Sequence, residues 1–343
     1  ERTLEEVFAA VRVLPGARAR FFAAGEESSL VLDGAVLAAR ITERGLGLVH
    51  VRWDTLEDLM SPTRLDYLDA VLEAVGEGPV NREFAPICYF HGMMLWASQW
   101  HPRLVRWIGA LAAIRLWHLF LAVGALGVAW ALFVWTGRPR YRAAVGASVL
   151  AQGAWGLVLQ VVLILSFQIL AGFAYLQLAL IIAFFMSGLA VGAFGVAALR
   201  RLWGRDAPAV RWLVGLQAVL TVVPLVLVAF VSPPAEGLRE GLSLTVVSTL
   251  FTATSFLSGV LGGAHFSLAV LAATVAGARL ERAGGYLYAV DLAGAAAGAL
   301  VAGLFVLPLY GVSSTLVLLS LVSLVCLVAL LRRPDFDHTP GTG

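Results

Sequence analysis

Lysine is missing from this 343-residue chain: every one of its 24 basic residues is arginine, a coding bias with no chemistry attached. Charge of either sign is scarce. Only 13% of residues are charged, where soluble domains carry about 25%, and that excludes an ordinary soluble protein. Two cysteines, Cys88 and Cys326, lie far apart in unlike contexts, so no disulfide framework or cysteine metal cluster follows. No strand is followed by G-x-G-x-x-G or G-x-x-x-x-G-K-[ST], which excludes a nucleotide loop of either kind. The chain starts at Glu1 with neither Met nor a signal-peptide pattern, the expected start of a fragment or processed piece. What is present is apolar surface: 60% hydrophobic residues and a mean hydropathy of +0.86. The expected surroundings are a lipid bilayer. The net charge of +2 carries little weight, and no nucleic-acid partner is expected.

Apolar runs fall at 116–135, 147–170, 174–198, 210–231, 250–273, 286–308 and 311–331. Each is near the roughly 20 residues a spanning helix needs. Arg138, Arg140 and Arg142 precede the second run, and Arg200, Arg201, Arg205 and Arg211 separate the third from the fourth. Arg279 and Arg282 precede the sixth, and Arg332-Arg333 follow the last, while the alternate linkers are nearly free of arginine. The positive-inside rule makes the arginine-bearing linkers and the tail 332–343 cytoplasmic. The first run breaks the alternation. If it spans, residues 1–103 lie outside; if they are cytoplasmic, which we favour, it is interfacial or re-entrant. Arg115 and His118 at its start weaken it as a full span.

Residues 1–103 hold most of the acids. Val11–Leu14 and Ala19–Phe22 flank Pro15-Gly16, which predicts a β-hairpin. Asp33 caps a helix over 34–44 that stops at Gly45. Leu48–Val51 fits a further strand, and Ser61-Pro62 opens a helix to about Val75. Asn81–Phe90 is either a polar cluster closing a site or a loop capping this part against the membrane. Trp96, Trp100 and Trp107 beside Arg103 and Arg106 mark the headgroup layer.

Three apolar runs carry glycines four apart: Gly188/Gly192, Gly259/Gly263 and Gly294/Gly298. Such faces let helices approach closely, within one chain or between copies in a homo-oligomer. Large polar residues inside the runs are few: Gln160 and Gln168 eight apart on the second, then Gln177, Gln217, His265 and Asp291. Ionisable residues within a membrane are site candidates by default. Asp291, Gln160, Gln168 and His265 form the candidate set, with interhelical hydrogen bonding as the plainer alternative. Tyr288, Arg279 or Arg282 would satisfy Asp291 near the cytoplasmic face.

A set of runs in a fixed order carries a family resemblance. In the first part they are Val7-Phe8, Val13-Leu-Pro-Gly16, Phe21–Ala24, Ser61–Arg64, Asn81–Pro86 and Tyr89-Phe90. In the apolar part they are Phe167-Gln168, Gly172–Tyr175, Phe185–Gly192, Gly285–Gly294, Leu307-Pro308 and Gly311. With these the chain resembles the C-terminal portion of membrane-bound spermidine synthase-like proteins, over nearly its whole length. The resemblance implies a mainly α fold: a bundle of six or seven spans over 104–331, preceded over 1–103 by a small α/β remnant of a Rossmann-like domain. It also implies a bacterial plasma-membrane location. The intact family member would transfer an aminopropyl group from decarboxylated S-adenosylmethionine, as co-substrate, to a diamine. The family's cofactor loop and catalytic aspartate belong to a part of the domain that does not lie in these residues. No catalytic, cofactor-binding or metal residue is therefore carried over. Gln160 stands where the family has an acid, and His265-Phe-Ser267 where it has Gln-Phe-Pro, which undercuts an ion-coupling role there. The alternative function is a transporter or exporter of polyamine or another small solute; a structural scaffold is the third.

Overall fold

The computed structural model describes residues 2–14, 19–26, 30–48, 53–75, 78–136, 141–172, 175–203, 208–231 and 241–331. It divides into two compact units, Glu1–Arg82 and Glu83–Gly343.

The first unit holds α1 (Arg2–Glu5), β1 (Ala10–Leu14), β2 (Arg20–Ala24), α2 (Gly34–Glu43), α3 (Trp53–Leu59) and α4 (Pro62–Val75). The strands pair antiparallel with Val11 opposite Ala23 and Val13 opposite Phe21; the expected turn at Pro15-Gly16 lies outside the described residues. Asp33 Oδ1 accepts from the backbone N–H of Ala35 and Val36 at 2.8 and 3.2 Å. That caps α2 by supplying partners for donors a helix start leaves bare. Leu48 lies in no strand, and 49–51 lie outside the described residues. This one ribbon is the only sheet among the described residues. A Rossmann-like sheet is parallel and needs crossovers, so the expected remnant of one finds no support, and a small α/β unit stands in its place.

The second unit begins earlier than the apolar runs do. In α5 (Ile87–Trp100) and α6 (Pro102–Ala112), Ile87, Phe90, Ala97 and Ile108 bury themselves with Phe305 and Leu309 packed against them. Residues 83–103 therefore belong with the helical unit, because their apolar face has its partners there. Their other face leaves Trp96, Trp100 and Trp107 exposed, as rings at a water–lipid boundary are.

Six helical stretches are long and apolar enough to cross a membrane. Five are α7 (Leu116–Trp135), α8 (Tyr141–Ala171), α9 (Tyr175–Trp203), α10 (Ala209–Val231) and α11 (Leu244–Val275). The sixth, Leu280–Leu331, comprises α12 (Leu280–Val301), a π turn (Ala302–Val306) and α13 (Leu307–Leu331). It folds back on itself at Gly311, which has φ 80° and ψ 177°. Leu287 and Leu330 share one core cluster with Val134, Tyr141 and Leu213. Leu307 and Leu316 share the other with Phe167, Val231 and Val247. The chain thus traverses the bundle seven times.

The first cluster marks the end that carries Arg142, Arg200, Arg211 and Arg279. Val134 reaches that end, while Ile114 O, just before α7, accepts from Tyr310 OH at the other. So α7 runs the full length, and the expectation of an interfacial or re-entrant first run is corrected. Arg115 and His118 do not interrupt it because they sit at its very start, where His118 Nδ1 accepts from Arg115 N–H at 3.2 Å. Glu83–Ile114 consequently lie at the end opposite the arginines, not on their side as expected.

The other six traverses are two copies of one three-helix unit. Gly188 and Gly192 of α9 correspond to Gly294 and Gly298 of α12, 106 residues on (294 minus 188, 298 minus 192). At the same separation, Gln152-Gly-x-x-Gly156 of α8 corresponds to Ser258-Gly-x-x-Gly262 of α11. The contacts obey the same relation. Gly188 faces Phe256 as Gly294 faces Leu150; Gly192 faces Val260 as Gly298 faces Ala154; Gly259 faces Phe185 as Gly153 faces Asp291. The copies α8–α10 and α11–α13 run in opposite senses, so a two-fold axis lying across the bundle relates them.

The glycines of the three pairs all sit against backbone. In the parallel pairs α9/α11 and α8/α12 a Cβ on Gly188 would meet Gly259 Cα at 3.1 Å, and one on Gly298 would meet Ala154 Cα at 2.7 Å. Gly263 of α11 lies against Leu189 of α9, where an added Cβ would stand 3.0 Å from the Leu189 Cα and closer still to its carbonyl. This is the one paired glycine the repeat does not reproduce: its counterpart on α8, 106 residues earlier (263 minus 106), is Leu157. Both seams thus carry glycine on both sides, but α11 contributes Gly259 and Gly263 where α8 contributes Gly153 alone and meets Gly294 and Gly298 with Leu150 and Ala154. Backbone-to-backbone packing of this kind is what small residues four apart permit. All three glycine faces are occupied within the chain, so the expectation that they might join copies in a homo-oligomer gives way to packing inside one copy.

Candidate functional site

The interior between the two copies is polar. From α10, Gln217 Nε2 donates to Ser323 O of α13 at 3.0 Å, and these two residues are equivalents under the repeat. The Gln217 Oε1 then faces His265 Nε2 of α11 at 2.8 Å. An amide oxygen only accepts, so this imidazole carries its proton on Nε2, and its Nδ1 has no partner among the described residues. His265 is fully buried and Gln217 nearly so.

Farther from the arginine end, Ser255 Oγ of α11 lies 3.0 Å from Gln160 Oε1 of α8 and 2.7 Å from Ile181 O of α9. One hydroxyl proton cannot serve two acceptors. Whichever way round the amide stands, one end of Gln160 has no partner. Between these two groups, Gln152 of α8 lies against Gly262 with its Oε1 unpartnered. Ser320 and Ser166 add unpartnered hydroxyls. Ser166 lines a space of about 240 Å³ between α8, α10 and α11, so the seam ends at a small cavity. Buried polar atoms usually find partners, and several unpartnered ones along one seam are places for water or a small polar solute.

Of the expected site residues, Gln160 and His265 both lie in this seam but in separate groups, Gln160 with Ser255 and His265 with Gln217. Gln168 does not: it is only partly buried nearer the opposite end, where its backbone carbonyl accepts from Gly172 N–H at 3.0 Å. Asp291 stands apart on α12, partly buried. It makes none of the hydrogen bonds or ion pairs expected with Tyr288, Arg279 or Arg282. Its depth also differs from expectation. Gln152 lies level with Gly262, and the repeat then centres the bundle between residues 152 and 156 of α8. Asp291, against Gly153, is at mid-depth and not near the arginine end. Among the described residues no three His, Cys, Asp or Glu side chains could hold a metal.

Sequence reasoning misses Gln152, Ser255, Ser258 and Ser323. The available signal is the row Gln152, Gln160, Gln168 at eight-residue spacing on one helix face. Replacing Gln217 by Leu leaves His265 bare at both ring nitrogens. The expected loss is about 1–3 kcal/mol, read by thermal unfolding in detergent. The double change Gln217→Leu/His265→Leu should cost less than the sum of the single changes.

No protein-family model matches the chain, no curated protein is significantly similar to it, and no solved structure resembles it significantly.

Proposed function

We propose that the membrane bundle is a carrier for a small polar or amine-bearing solute, polyamines among them. One observation carries the reading: six helices form two inverted copies whose interface holds a buried seam of partly unpartnered Gln, Ser and His groups. Many secondary transporters are built from inverted-topology repeats and bind solute near the bilayer midplane between them. Among the described residues Asp291 supplies the one carboxylate at that depth and has no partner, and an intramembrane acid of this kind is a pathway group by default. The chain sealed in liposomes should move labelled diamine or polyamine down a gradient, and Asp291→Asn should lower the flux at least ten-fold. Equal flux in wild type and variant, or none above protein-free liposomes, defeats the proposal.

A second reading has its own support. In it the chain is the membrane portion of a spermidine synthase-like protein of the bacterial plasma membrane, whose intact form transfers an aminopropyl group from decarboxylated S-adenosylmethionine to a diamine. Two of the matches that carry the resemblance, Asn81–Pro86 and Gly311, meet: Gly311 lies against Phe84 O and Ala85, and the next residue, Val312, donates its N–H to Phe84 O at 2.8 Å. The reaction is attack of a neutral amine on a carbon beside a sulfonium, and it needs a carboxylate to orient the amine and take up charge. The intact protein given both substrates should release methylthioadenosine; no release defeats this reading. Sidedness separates the two. A cytoplasmic co-substrate requires the segment before α7 on the cytoplasmic side, whereas the positive-inside rule puts it outside. Protease accessibility of that segment in sealed vesicles decides.

A further inference from the structure

The repeat generates two equivalent grooves, and only one is filled. Between α12 and α13, over α8, the groove receives α7: Gly127 lies against Val325, and Trp130 lines the space that remains. Its counterpart lies between α9 and α10, consecutive helices that both pack on α11 yet hardly touch each other. Nothing among the described residues enters it. It is an open, almost wholly apolar groove of about 680 Å³, floored by Leu261, Ala264 and Leu268. Gly195 and Gly215 widen it; a Cβ on either would meet nothing within 4 Å.

The two grooves differ in charge. Arg200 and Arg211 line the open one where it reaches the arginine end. Their equivalents 106 residues on are Val306 and Val317. Neither arginine has an ion-pair partner among the described residues. Arg200 also borders an adjoining cavity of about 720 Å³, shared with Arg201 and Glu281. A helix like α7 would need no charge at that point. An occupant with an apolar body and an anionic head would need two.

We infer that the α9/α10 groove is a binding site for an anionic phospholipid, its acyl chain lying over α11 and its phosphate held by Arg200 and Arg211. The arginine end is the cytoplasmic one by the positive-inside rule, and that leaflet is where anionic lipid is presented. Basic pockets between spanning helices on that side hold such headgroups. The inference is independent of the solute the bundle carries.

The test uses the full chain in mild detergent, titrated with phosphatidylglycerol or with phosphatidylcholine of the same acyl chains. Bound lipid is counted by native mass spectrometry and its effect read by thermal unfolding. Phosphatidylglycerol should be retained and raise the melting temperature; phosphatidylcholine should do neither. Arg200→Gln/Arg211→Gln should weaken retention about 30-fold, at roughly 1 kcal/mol for each arginine near the surface. Gly195→Leu/Gly215→Leu should abolish retention by filling the groove, with the lipid-free melting temperature not lowered. Equal retention of the two lipids, or unaltered retention in the arginine variant, overturns the site. A melting shift reproduced by inorganic phosphate alone would leave an ion site and no lipid groove, and a protein helix cross-linked into the groove would overturn it too. If the glycine variant does not fold, the arginine variant decides, since its changes lie on exposed side chains.

Discussion

Gly311→Ala should cost at least about 3 kcal/mol and leave a protein that unfolds well below the wild type in detergent. Two separate penalties meet at that position. With φ 80° and ψ 177° the residue occupies backbone space essentially reserved for glycine, worth about 1–3 kcal/mol for any other residue. The added Cβ would also sit 2.7 Å from Phe84 O and 3.0 Å from Ala85 Cβ, against the same stretch of backbone that accepts from Val312 N–H. Relief by moving the chain would break that bond and open the reversal between α12 and α13. Gly172→Ala is the control. Its φ is 74°, but nothing lies within 4 Å of an added Cβ, so only the left-handed strain of about 1–2 kcal/mol remains. Equal melting temperatures for the two variants would show that the Phe84 contact contributes nothing.

The second large effect is expected at Gly192→Leu, and Gly195→Leu on the same helix should show almost none. Gly192 lies against the Val260 carbonyl of α11 with no room for a side chain, while Gly195 faces open space. A leucine at 192 must push α9 off α11, and overpacking of this kind costs about 3 kcal/mol or more. At 195 it gains a little helix propensity, up to about 1 kcal/mol over glycine. The difference in unfolding temperature between two leucines three residues apart therefore reports the backbone contact alone. Similar destabilisation by both would place the glycine contact elsewhere than on α11.

The helices are legible because charge stops where lipid begins. The run 210–231 and the helix Ala209–Val231 coincide within a residue, since Pro208 stands just before one end. The first turns of α12 are not legible. Glu281 and Arg282 end the apolar run at Tyr286, but the helix starts at Leu280, and this makes Asp291 look shallower in the sequence than it lies. Gln152 escapes notice between Ala151 and Gly153, where its small neighbours suggest packing alone. The four-residue glycine spacing is visible in three helices, and so is the close approach it implies. That Gly188 and Gly294 are equivalents is not visible, because single glycines in apolar helices recur by chance. Gly263 even argues the other way, since its spacing from Gly259 matches the other pairs while its counterpart is a leucine; the matching contacts make the relation specific. Serines such as Ser255 and Ser323 give no sequence signal, since a serine in a membrane helix can satisfy itself on its own backbone.

The interleaving of the two copies also governs biogenesis. Because α8 finds its tight partner in α12 and α9 in α11, the first three-helix copy leaves the ribosome with its glycine seams unmatched. It can complete them only when the second copy has been inserted. Neither copy should survive alone in the bilayer, yet two polypeptides cut in the linker after Val231 and made in the same cell should reassemble and protect each other from degradation.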